Sequence, residues 1–102
     1  MTTELRYLDF DYSEDTEGHG TFDAMASTPP DKTPEVKEEI ARVLAWAEAT
    51  FPHARGAIDE GATWDYDLQE TREDKPRFNT VTLSVSGTED FCTALREQFA
   101  LD

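Results

Sequence analysis

Leu8-Asp9-Phe10-Asp11-Tyr12 and Ala62-Thr63-Trp64-Asp65-Tyr66-Asp67-Leu68-Gln69 place large apolar side chains at every second position, with aspartates between them. Alternation of this kind marks a strand with one face buried and the other in solvent. Aspartate is a poor strand former, so its recurrence runs against local propensity and points to an acidic open sheet face. Each stretch also opens a similar cycle. After the first, the polar loop from Ser13 to Gly20 leads to a second alternating run. Phe22, Ala24 and Ala26 lie on one of its faces, and Thr21, Asp23, Met25 and Ser27 on the other, which reads as the return strand of a hairpin. After the second, the charged turn Glu73-Asp74-Lys75-Pro76 leads to a strand in which Val81, Leu83 and Val85 alternate with Thr80, Thr82, Ser84 and Ser86.

A helix follows each pair of strands. Pro29-Pro30 ends the second strand, and Thr33-Pro34-Glu35 then reads as an N-cap, a proline at the first helical position and a favourable first-turn acid. Val36, Ile40, Val43, Leu44, Ala47 and Phe51 fall at helical spacing, while Glu38, Glu39 and Glu48 are assigned to the side away from that stripe. Glu38 and Arg42 form an i,i+4 pair, and Pro52 and Gly56 stop the helix. Gly87-Thr88-Glu89-Asp90 begins the second helix, whose Phe91, Leu95 and Phe99 continue at i, i+4, i+8. The element order is ββαββα. It predicts a single α+β domain over residues 1–102, a two-layer sandwich with a four-stranded, mainly antiparallel sheet and both helices on one face. Several strand orders satisfy this pattern.

Composition bounds the function. With 23 acidic and 9 basic residues among 102, the chain carries a formal net charge of −14. That charge disfavours phosphate backbones and anionic membranes, so no direct nucleic-acid or membrane partner is expected. Cys92 is the single cysteine, which leaves no disulfide framework and no cysteine-based zinc site. The start, Met1-Thr2-Thr3-Glu4-Leu5, has neither the basic nor the apolar region of a secretory leader, and the expectation is a cytoplasmic protein.

Side-chain parity carries the functional reading. Tyr7, Asp9, Asp11, Thr21, Asp23, Met25, Thr63, Asp65, Asp67, Thr80, Thr82 and Ser84 are assigned to the face opposite the helices. Neighbouring carboxylates about 5 Å apart repel by roughly 1 kcal/mol or less in water, which is tolerable but never helps folding. Three readings compete. The acid keeps an exposed sheet soluble, as in a salt-adapted proteome. Alternatively, the aspartates, extended by Glu14, Asp15 and Glu17 of the first loop and aided by Tyr7 and Met25, dock a basic protein surface. An inhibitor, immunity-type protein or adaptor would do so. Thirdly, Asp9-x-Asp11 and Asp65-x-Asp67 hold calcium or magnesium, in a metal-binding protein or a metal-dependent enzyme. Carboxylates at i and i+2 of a strand sit roughly 7 Å apart, too far to chelate one ion unaided.

His19 and His53 lie in loops and are assigned no role, and Cys92 reads as a small semi-buried thiol without a histidine partner. Trp46 and Trp64 read as core or core-rim residues. Arg72, Lys75 and Arg77 read as a solubilising turn that balances Glu70, Glu73 and Asp74. The sequence is therefore read as a non-catalytic binding module for a basic protein partner, with no cofactor. The metal-dependent and the solubility readings are its alternatives.

Overall fold

The computed structural model describes residues 5–57, 60–74, 77–99 and 101. Its elements are β1 (Asp11–Glu14), β2 (Gly20–Thr28), a 3-10 turn (Pro30–Lys32), α1 (Thr33–Thr50), β3 (Trp64–Asp74), β4 (Arg77–Gly87) and α2 (Glu89–Phe99). All strand pairs are antiparallel, and the sheet order is β1-β2-β4-β3. Both helices cover one face, giving the expected α+β two-layer sandwich. The two ββα units meet through their second strands, as units related by a pseudo-two-fold axis normal to the sheet would.

The buried face follows the alternation. Phe22, Ala24 and Ala26 of β2, Val81, Leu83 and Val85 of β4, and Trp64 of β3 close against Val36, Ile40, Val43 and Ala47 of α1 and Phe91, Leu95 and Phe99 of α2. Trp64 stacks on Phe91 with ring planes 1° apart and centroids at 5.6 Å. Trp46, half-buried, lies against Phe51, Phe91 and Phe99 and belongs to the core rim. At one end of the sheet Gly20 stands opposite Gly87. A Cβ on Gly20 would come within 2.8 Å of the Cys92 sulfur, and one on Gly87 would overlap the Phe91 ring. These two glycines let the first turn of α2 lie close against the strands.

Three local expectations change. The first strand begins at Asp11, so Leu8, Asp9 and Phe10 precede the ladder. The segment before it is held by Glu39 of α1, which is only 4% exposed and not on the solvent side. The Glu39 carboxylate accepts the backbone N–H groups of Arg6 at 2.7 Å, Tyr7 at 3.0 Å and Leu8 at 3.1 Å, so this stretch is tied to a helix instead of to a strand. Thirdly, Thr33 does not cap α1. The preceding 3-10 turn supplies Pro30 O as acceptor for the Thr33 N–H, and the Thr33 hydroxyl receives Asn79 Nδ2 at 3.3 Å. In α2, by contrast, Thr88 Oγ1 accepts the Phe91 N–H at 3.4 Å, a weak N-cap at the helix start that the sequence places there.

Candidate functional site

The register assembles the open face row by row. Asp11 of β1 stands opposite Asp23 of β2, Asp23 opposite Ser84 of β4, and Ser84 opposite Asp67 of β3. The next row toward the α2 end runs Ser13, Thr21, Ser86, Asp65, and on the other side Met25, Thr82 and Gln69 are aligned. Strand pairing thus puts Asp11, Asp23, Asp65 and Asp67 on one surface, interleaved with hydroxyl groups. No strand position on this face carries Lys or Arg.

Short polar side chains organise the surface. Ser84 Oγ donates to Asp23 Oδ1, Gln69 Nε2 donates to Asp67 Oδ2 at 3.3 Å, and the hydroxyls of Thr21 and Ser86, and of Ser27 and Thr80, pair at 3.0 Å. Asp65 differs from its neighbours. Its Oδ1 accepts Arg55 Nε at 3.2 Å and the Tyr66 N–H at 2.9 Å, while the Arg55 guanidinium lies over the Tyr66 ring. Met25, 65% exposed, is the most exposed large apolar side chain among the described residues and gives the face an apolar point. Asp11 and Asp23, directly opposite and of like charge, cost stability here.

The remaining candidates are dispersed. Asp9 is exposed but has no ladder partner, because it precedes β1. Tyr7 is half-buried against the core and gives its N–H to Glu39, so it does not join the open face as expected. Glu14 ends β1 opposite Gly20, at a position of helix-side parity, and lines a small cavity with Tyr12, Cys92 and Arg96.

Asp15 closes the β1–β2 turn: its Oδ1 accepts the N–H groups of Glu17 and His19, both at 2.9 Å. The His19 and Glu17 amides hold the Asp15 carboxyl below its ordinary range. His19 Nδ1 lies 3.5 Å from Asp15 Oδ2, and the ligand atoms of Asp15, Glu17 and His19 all fall within 4.8 Å of one another. Turn chemistry already engages Asp15 there. The two Asp-x-Asp pairs do not converge on an ion site, since Asp11 and Asp67 are three strand spacings apart, about 14 Å.

The buried Cys92 thiol lies 3.6 Å from Gly87 O. Burial pushes its pKa above the ordinary thiol value, so it is a protonated packing group at neutral pH. Glu39, Asn79 and Arg55 were missed as organising residues. Glu39 had a readable signal: it stands three residues after Val36 and four before Val43, within the arc that faces the sheet. No helix among the described residues is long and apolar enough to cross a membrane. Comparison with protein-family models, with characterised proteins and with solved structures finds no match to this chain.

Proposed function

We propose that the protein is a non-catalytic binding module whose open sheet face engages a basic protein surface, in an inhibitor, immunity-type or adaptor role. One observation carries this reading: Asp11, Asp23 and Asp67 share a single row across the sheet, and no strand cation on that face neutralises them. Acidic residues serving solubility alone have no need of this row, in which Asp11 opposes Asp23 at a cost to folding. A partner presenting lysines or arginines at strand-like spacing relieves that repulsion, and the hydroxyls of Thr21, Thr82 and Ser86 offer uncharged hydrogen bonds around it. Met25 supplies the exposed apolar contact. Complementary charge on this scale acts mainly on the rate of encounter and on partner choice.

The test is capture from native lysate at low salt by the wild-type protein and by a variant carrying Asp11→Asn, Asp23→Asn and Asp67→Asn. Circular dichroism establishes that both are folded. A discrete basic protein should be retained by the wild type and lost by the variant, with association slowed about tenfold and its salt dependence flattened. Equal retention of the same generic basic proteins by both would overturn the reading and leave the acid as solubility chemistry.

A further inference from the structure

On the helix side of the sheet, away from the acidic face, a cavity of about 280 Å³ opens between the end of the β1–β2 hairpin and α2. Glu14 and Tyr12 line it from β1, and Glu89, Thr93 and Arg96 line it from α2, where they stand at i, i+4 and i+7 along one stripe of the helix. Gly18, exposed and at φ 85°, turns the chain at its rim, and no atom lies within 4 Å of where a Gly18 side chain would begin.

Opposite charges share this cavity without meeting. Lys32, Lys37, Arg42 and Arg55 each lie within 4 Å of a carboxylate. Among the described residues Arg96 does not, and neither Glu14 nor Glu89 has a cation within that distance. Aromatic rings hold the arginine in place instead: its guanidinium carbon lies 3.9 Å from the centroid of Tyr12 and 5.5 Å from that of Phe22. The Arg96 Nε–H is buried and finds no acceptor, so the side chain keeps unspent donor capacity. Burial raises the Tyr12 hydroxyl above its ordinary value; the Glu14 charge adds to the rise and the Arg96 charge opposes it, so both charges act on one phenol. The cavity is thus positive at Arg96 and negative at two carboxylates. A simple anion is repelled by the acids and a simple cation by the arginine, whereas a molecule carrying both charges satisfies both.

We propose that this cavity binds a small zwitterion of the α-amino acid class, with its carboxylate on the Arg96 guanidinium and its ammonium on the Glu14 and Glu89 carboxylates. The planar guanidinium offers paired donors that match the two oxygens of a carboxylate. The ammonium has three donors, enough for both glutamates and the Thr93 hydroxyl. The small volume and polar lining favour amino acids with short side chains.

The experiment is an NMR titration of the wild-type chain with glycine, L-alanine, acetate and methylamine, at constant pH and ionic strength. Glycine and L-alanine should saturably shift the Glu89 and Thr93 amides and the Arg96 Nε–H, with Kd at least about tenfold below those of acetate and methylamine. Arg96→Lys keeps the charge and loses the paired donors, and Glu89→Gln neutralises an exposed position at the helix start. Each folded variant should weaken glycine binding about fivefold or more. No saturable shift, acetate or methylamine binding as tightly as glycine, or an affinity unchanged by Glu89→Gln would overturn the proposal. None of these outcomes bears on the binding of a basic partner by the open face.

Discussion

Glu39 shows how far one side chain can organise a segment. It is a buried carboxylate of α1 beneath the segment that precedes β1, and the three N–H groups it receives belong to residues that no strand pairs. Charge-assisted bonds of this kind contribute about 1.5–3 kcal/mol each when a buried partner is at stake. Glu39→Gln keeps the shape but loses the charge and one acceptor, and should lower stability by about 2 kcal/mol, read from the urea midpoint, with the loss of structure centred on residues 6–8. Glu70 gives a second residue-level expectation. The Lys37 ammonium, aided by the Asn79 amide, holds its carboxyl below the ordinary range. A carboxylate lowered in the folded state stabilises above its unfolded pKa, and this contribution fades as pH falls through the folded value. Glu70→Gln should therefore flatten the loss of stability on acidification below about pH 4.5, measured by denaturant titration at several pH values.

At the scale of elements, the amphipathic patterns of both helices and three of the strands were legible because burial on one face imposes a strict period. What the pattern could not convey was where pairing begins. Leu8, Asp9 and Phe10 alternate like a strand, but their backbone is engaged by Glu39 or precedes the ladder. Nor could a cap motif announce that Thr33 would be diverted to Asn79, a residue 46 positions away. Candidate-site placement divides along the same line: Asp11, Asp23, Asp65, Asp67 and Met25 follow strand parity, whereas Tyr7, Asp9 and Glu14 depend on strand ends. The close seating of α2 is the element-scale test. Gly87→Ala inserts a methyl group into the fully buried Phe91 ring and should cost about 1–3 kcal/mol in a thermal melt, outweighing any entropic benefit of replacing glycine.

For the whole molecule, the two-layer α+β architecture was legible, but strand order was beyond reach because either edge of each hairpin could have formed the central contact. The structure joins the hairpins through β2 and β4, which places β3 at an edge and spreads the open-face aspartates over β1, β2 and β3. That central seam has a meaning in time. Hairpin β3–β4 closes locally, yet Gly20 must find Gly87 and Thr28 must find Asn79, across most of the chain. Contacts so remote in sequence carry a large loop-closure entropy before they return any stability, so docking of the two ββα units is the expected slow event of folding. During synthesis β2 leaves the ribosome long before its central neighbour exists. Asp23, whose charge opposes folding in the finished sheet, keeps that waiting strand from pairing with the wrong chain.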